Sequence, residues 1–172
     1  MNIDEKIKLT EYNPAWARYF LDEREVLLNA LAAYLPNIEH IGSTSICNMP
    51  AKPIIDIMIG LQEYPPSRPI IAAMENIVYN CYGECGVPGR MYFTKRTPTQ
   101  DYNAHITLMD GGVWRNNILF RDHLTNDTEM AASYAAIKRK LVNSGADTLR
   151  KYSAGKSEFI SAAIKSASHK EE

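Results

Sequence analysis

The run Ile54-Ile55-Asp56-Ile57-Met58-Ile59-Gly60-Leu61 places the firmest constraint on the fold. On an extended strand Ile54, Asp56 and Met58 share one face while Ile55, Ile57 and Ile59 share the other. A strand apolar on both faces has to be covered on both sides, so residues 52–61 are expected to be a central strand of a layered domain. One carboxylate interrupts this run. An unpaired buried carboxylate costs several kcal/mol, so Asp56 should be ion-paired, hydrogen-bonded, close to a metal, or at an open strand end facing a cleft. Either a structural pairing or a functional site satisfies that demand.

The rest of the chain supplies the layers. Asn13-Pro14 offers an N-cap followed by proline at the first helical position, and Trp16, Phe20, Leu27, Leu31 and Leu35 recur at helical spacing, which predicts a helix over 14–34. A short strand is expected over Ile38–Gly42 and a second helix over 69–79. From Tyr79 to Leu108, turn residues alternate with tyrosine, phenylalanine and threonine, the pattern of a strand pair and a further strand. Three helices follow: one over 113–124, one with Asn126-x-x-Glu129 as a capping box and Gly145 as its stop, and one capped by Asp147 with a stripe of Leu149, Tyr152, Phe159, Ile160 and Ala163. Trp16 and Trp114 fall on apolar helical faces, where packing is the expected role. The order describes an α+β protein, a mixed β-sheet flanked by helices with a C-terminal helical segment, in a single domain spanning 1–172.

Composition narrows the partners. Lys plus Arg (19) nearly balances Asp plus Glu (20), so bulk charge provides no case for nucleic acid or an anionic membrane surface. No stretch approaches the roughly 18 to 20 apolar residues of a spanning helix, and the opening MNIDEKIKLT has no apolar leader, which predicts a cytoplasmic protein. Cys47, Cys81 and Cys85 support neither a disulfide framework nor a zinc site.

Chemistry concentrates around a turn of small residues, Gly42-Ser43-Thr44-Ser45. Glycine admits close approach of a ligand, and backbone N–H groups with the hydroxyls of Ser43, Thr44 and Ser45 suit phosphate oxygens. Thirteen residues after Ser43 comes Asp56. A phosphate cradle at the end of one strand beside an acid on the next would set a triphosphate against a metal-binding carboxylate. That arrangement resembles the nucleotidyltransferase superfamily typified by DNA polymerase beta, whose second strand reads acid, apolar residue, acid. Only the first acid is present here, because Met58 stands two residues on and cannot ligate a hard cation.

The segments YNPAWARYFLDEREVL, EHIGSTSI, AKPIIDIMIGL, HITL, LFRDHL, SYAAIKRKL and YSAGKSEFI together resemble the GrpB family, a nucleotidyltransferase-like group, over nearly the whole chain. The resemblance implies a mixed sheet with flanking helices and leaves the reaction open. On the strand that would carry the superfamily's third acid, NAHITLM offers His105, either a metal ligand or general base or a histidine hydrogen-bonded in a half-buried sheet. Glu39 and His40 would complete such a site or pair with each other. Lys156 sits in the middle of an apolar helical stripe, so it either snorkels to solvent or aims at a phosphate; Lys52 and Arg90 are further anion-binding candidates. Arg121 and Lys138 are expected at the surface or in ion pairs.

The expected function is therefore that of a metal-dependent, nucleotidyltransferase-like protein that takes a nucleotide or another phosphorylated small molecule as ligand. Residues 42–45 would hold phosphates, Asp56 with His105 a divalent ion such as Mg²⁺ or Mn²⁺, and Lys156 or Lys52 would neutralise the leaving pyrophosphate. Met58 motivates a rival, a catalytically silent nucleotide-binding or regulatory module. A third reading is ligation or hydrolysis on the same fold with His105 as base.

Overall fold

The computed structural model describes residues 8–145 and 148–168. Helix α1 (Ala15–Ala30) begins where expected, with Asn13 Oδ1 accepting the Ala15 N–H at 3.0 Å. It ends earlier than 34, because the chain tightens into a 3₁₀ turn at Ala32–Tyr34 and Leu35 enters the left-handed region at φ 47. Leu35 is 81% exposed, so it lies outside the apolar stripe assigned to it. Pro36 follows, and the residue before a proline disfavours helix.

Strand β1 (Asn37–Ile41) leads into the glycine turn, and β2 (Ile54–Leu61) follows it. After α2 (Arg68–Asn76) come β3 (Asn80–Cys81), β4 (Arg90–Lys95) and β5 (Asp101–Leu108). The sheet order is β1-β2-β5-β4-β3, with β2 and β5 parallel and the other neighbours antiparallel. The doubly apolar strand β2 is thus interior, flanked by β1 and β5. Ile55, Ile57 and Ile59 are wholly buried with Phe93, Ala104 and Ile106 in a core that includes Trp16 and Leu27 of α1 and Ile70 and Met74 of α2. Each such side chain contributes about 1.5–3 kcal/mol on burial. A buried ion pair fastens this layer: Lys95 Nζ lies 2.9 Å from Glu23 Oε1, which also accepts the Tyr79 hydroxyl at 3.0 Å.

The other face of β2 carries Asp56, Met58 and Gly60. Met58, 1% exposed, packs with Ile41 and Trp114 under α3 (Gly112–Asn126). Gly60 is required there, since a Cβ at that position would fall 2.7 Å from the Trp114 ring. Trp16 and Trp114 both have the packing roles expected of them.

Helices α4 (Thr128–Asn143) and α5 (Leu149–Ser168) complete the fold. The cap of α4 is Asp127 and not Asn126: Asp127 is extended and its Oδ1 accepts from the Met130 N–H at 2.9 Å, whereas Asn126 is still helical and donates to Asp122 O. Tyr134, Phe120, Phe159 and Ile160 pack with Ile46 and Met49, pressing α3, α4 and α5 onto the segment that follows the glycine turn. Asp147 and the side chain of Leu149 lie outside the described residues. Among the described residues no helix is long and apolar enough to cross a membrane.

Candidate functional site

Antiparallel pairing of Ile41 with Asp56 brings the glycine turn directly onto the acid. Gly42 has φ 70 and ψ −172, and a Cβ there would lie 2.6 Å from Asp56 Oδ2. Both its backbone conformation and its contact demand glycine. Ser43–Ser45 then form one 3₁₀ turn, closed by Ser45 Oγ donating to Gly42 O at 2.6 Å.

A cleft of about 210 Å³ opens between this turn and the C-terminal helices. Gly42, Ser43, Thr44, Lys52, Asp56 and Lys156 line it, so six of the residues singled out from sequence meet in one place. Its remaining walls include Asn116 and Asn117 of α3 and the aromatic rings of Phe120, Tyr134 and Tyr152. Lys156 Nζ lies 4.2 Å from the centre of the Tyr152 ring. Burial, with repulsion from Lys52 and against the attraction of Asp56, pushes Lys156 down to about 8.

Asp56 keeps a quarter of its side chain exposed, at 25%. Asn103, its cross-strand neighbour, donates Nδ2 to Oδ1 at 2.8 Å, and Arg96 Nη2 in turn donates to Asn103 Oδ1 at 3.1 Å. His105 Nε2 stands 3.6 Å from the same Oδ1, an electrostatic contact longer than an ordinary hydrogen bond. Burial opposes ionisation of Asp56, yet His105, the charge of Lys52 and the Asn103 bond outweigh it and hold the carboxyl well below the usual carboxylate range. Burial lowers His105 despite Asp56, with Arg90 and Lys52 adding to the effect.

Three candidates do not line the cleft. Ser45 spends its hydroxyl closing the turn. His105 lies on the sheet beside Asp56, 5.3 Å from the Tyr92 ring. Arg90 crosses that ring at 5.0 Å and donates Nη2 to the carbonyls of Glu84 and Cys85, which braces the β3–β4 connection. Glu39 and His40 neither pair with each other nor complete a metal site, because alternation sends them to opposite faces. Glu39 takes a 2.8 Å ion pair from Arg121, one of the roles expected of that arginine. His40 stacks on Phe20 at 4.7 Å and shares a 3.0 Å hydrogen bond with Thr44 Oγ1. Burial pushes His40 down to about 4, with Arg121 assisting against Asp56.

Lys138 overturns its expectation. It is 0% exposed and pairs with no acid among the described residues; its Nζ is 2.9 Å from Ser43 Oγ and bonds Pro50 O, so it ties both ends of the loop 43–50 to α4. The reason is register: Lys138 is four residues past Tyr134, on the helical face that packs against the loop. Asn103 was also overlooked, although it stands two residues before His105 and therefore on the same strand face.

A resident pair of divalent ions does not fit these side chains. The second carboxylate position is Met58, sealed under Trp114, and the residue across from Asp56 is an amide. Among the described residues no group of three or more His, Cys, Asp or Glu is placed to hold a metal.

Comparison with known proteins places this geometry in a lineage. The GrpB family profile, described as GrpB protein, matches residues 6–166. UPF0157 protein YqkA of Bacillus subtilis is 34% identical over 162 residues, covering 94% of this chain and 47% of YqkA, so the chain spans about half the length of that relative. UPF0157 protein SCO7215 of Streptomyces coelicolor is 34% identical over 94% of this chain and 83% of its own. The crystal structure of conserved protein GrpB from Enterococcus faecalis superposes with a TM-score of 0.84 at 33% identity, covering 95% of this chain and 98% of that one. A more distant likeness is to the GLD-2/RNP-8 complex, with a TM-score of 0.53 at 10% identity over 75% of this chain and 54% of that one. The non canonical poly(A) polymerase complex GLD-2–GLD-3 gives 0.50 at 12% identity, over 75% and 45%. Likeness at that identity shows a shared nucleotidyltransferase-like fold. By sequence and by architecture, the chain belongs to the GrpB family.

Proposed function

We propose that the cleft binds a nucleotide or another phosphorylated small molecule, and that lysines supply the charge which a metal pair supplies in two-metal transferases. The observation that carries this reading is the convergence of the Gly42 turn, Asp56, Lys52 and Lys156 on one cleft. Ser43 and Thr44 line the cleft, and their N–H groups, at the start of the 3₁₀ turn, have no partner within it. Lys52 and Lys156 offset phosphate charge, and the aromatic walls at Phe120 and Tyr152 provide apolar surface for the remainder of the ligand. Asp56, held ionised by its neighbours, accepts a hydroxyl or amine of the ligand or of a second reactant.

Of the rival functions, the sealed Met58 favours binding without two-metal nucleotidyl transfer. Calorimetric titration of nucleoside triphosphates and of inorganic triphosphate, each with Mg²⁺, Mn²⁺ or EDTA, tests the reading on wild type, Lys156→Met and Asp56→Asn. Binding should persist in EDTA and weaken roughly 10- to 100-fold in Lys156→Met, the effect of losing a charge-assisted hydrogen bond of about 1.5–3 kcal/mol. Absence of binding under every condition refutes it, and binding that requires a divalent ion and Asp56 restores a metal-dependent site.

A further inference from the structure

Next to the cleft lies a polar pair that phosphate binding does not explain. Lys138 is completely buried, its Nζ is 2.9 Å from Ser43 Oγ and hydrogen-bonded to Pro50 O, and it lies 4.7 Å from the centre of the Tyr134 ring. Among the described residues no carboxylate stands within ion-pairing distance of it. The charged groups that act on it are cations, Lys156 from α5 and Arg139 from α4; Tyr134 of α4 faces it from its own helix, and Lys52 and Asp56 line the adjoining cleft.

A fully buried ammonium without a counter-ion is disfavoured. Burial first, then Lys156 and Arg139, push Lys138 down to about 6, so at neutral pH it is an amine. A neutral amine has two N–H donors and one lone pair. Pro50 O can only accept, and the Tyr134 face attracts an N–H. Nζ donates to Ser43 Oγ, and the Ser43 hydroxyl also meets the Tyr134 phenol; in the neutral amine the lone pair gives that hydroxyl a second acceptor for its proton. Ser43 itself is half-buried and lines the cleft, which sets the pair at the wall of the ligand site.

From this geometry we infer that Ser43 is a nucleophile and Lys138 its general base, and that the pair takes a phosphoryl group from a phosphoric anhydride bound in the cleft. The inference rests on the phosphorylated-ligand reading above. In the step, Ser43 Oγ forms a bond to phosphorus as its proton passes to Lys138 Nζ. The anhydride P–O bond breaks, and the leaving phosphate departs with that electron pair and takes a proton from the Lys156 ammonium. The product is a phosphoserine at 43, with Lys138 protonated and Lys156 neutral.

Diisopropyl fluorophosphate tests the nucleophile without relying on an anion site, because it is uncharged: Ser43 Oγ bonds to phosphorus, fluoride leaves with the P–F electron pair, and Lys138 takes the proton. Intact mass and peptide mapping should place the adduct on Ser43. The labelling rate should rise as pH increases through about 6 and then level off. Ser43→Ala should abolish it. Lys138→Met, which keeps the stem and removes the base, should slow it roughly 100-fold while cooperative thermal unfolding is retained, and Lys138→Arg, always charged, should slow it equally. Should the lysine variants fail to fold, the wild-type pH profile and Ser43→Ala decide. No adduct on Ser43, or labelling as fast in Lys138→Met as in wild type, or a rate independent of pH from 5 to 8, overturns the inference. Added inorganic triphosphate should protect Ser43. Efficient labelling without protection would leave the serine–lysine pair standing and remove the phosphorylated ligand.

Discussion

Replacing Gly42 by alanine probes the contact on which the site is built. The residue sits at φ 70 and ψ −172, a region essentially reserved for glycine, and forcing a side chain into it costs about 1–3 kcal/mol. The added Cβ would also fall 2.6 Å from Asp56 Oδ2 and 3.0 Å from Asp56 Cβ. Either the turn lifts or the carboxylate swings away from Asn103, and losing that charge-assisted hydrogen bond costs about another 1.5–3 kcal/mol. The sum, about 2.5–6 kcal/mol, corresponds to a fall in Tm of roughly 5–24 °C for a domain of this size. Gly83 is an internal control: it has φ +63 but nothing within 4 Å of its would-be Cβ, so Gly83→Ala should cost only backbone strain of about 1–2 kcal/mol. Denaturant unfolding of both variants, with Gly42→Ala repeated in an Asp56→Ala background, separates the contributions. The double variant should be less destabilised than the sum of its parts, because the carboxylate that Cβ meets has been removed. Equal costs at 42 and 83, or strict additivity with Asp56→Ala, would show that turn and acid are not in contact.

Other perturbations follow from the same geometry. Met58→Asp would bury a carboxylate against Ile41 and Trp114, so it should destabilise by about 3 kcal/mol or more in urea unfolding and confer no metal-dependent activity. Lys138 is lowered from 10.5 to about 6, so the unfolded state holds more protons between those values and wild-type stability should gain with pH across that window; Lys138→Met should flatten the rise between pH 6 and 9 in Tm measurements. His40 is lowered from 6.5 to about 4, so its contribution is present above 6.5 and lost as pH falls through 4; in His40→Gln the acid limb of the stability profile should be shallower. Lys95→Met leaves Glu23 buried beside Tyr79 without its cation and should cost about 3–5 kcal/mol by thermal or chemical unfolding, whereas the Glu23→Leu/Lys95→Met pair should recover much of it.

Much of the fold was legible in the sequence, because hydrophobic period is a local property that burial enforces. The alternation in Ile54–Leu61 required cover on both faces, and α1 with α2 on one side and α3 on the other provide it. The spacing from Ser43 to Asp56 likewise announced a turn beside an acid, and the antiparallel pairing of β1 with β2 puts Gly42 against that carboxylate. Local chemistry also explains the errors at element ends. Asn126 and Asp127 are both good caps, and only the length of α3 determines which of them is free to act.

What the tertiary structure alone decided is partnership. Asn103, Lys138 and Tyr134 are 47, 95 and 91 residues from the groups they serve, Asp56 in the first case and Ser43 in the other two, and no periodicity encodes contacts of that range. Lysine and arginine were read by average habit, as surface residues or anion ligands. Arg90 instead braces a hairpin connection, and Lys138 is drawn fully inside by the packing of α4 on the loop 43–50. The sequence by itself determined which residues must be buried and where the chain must turn, since these follow from the transfer of each side chain from water. Whether a buried amine faces a carboxylate or a serine depends on how distant elements dock, and that docking sets the charge of Lys138 and with it the chemistry open to Ser43.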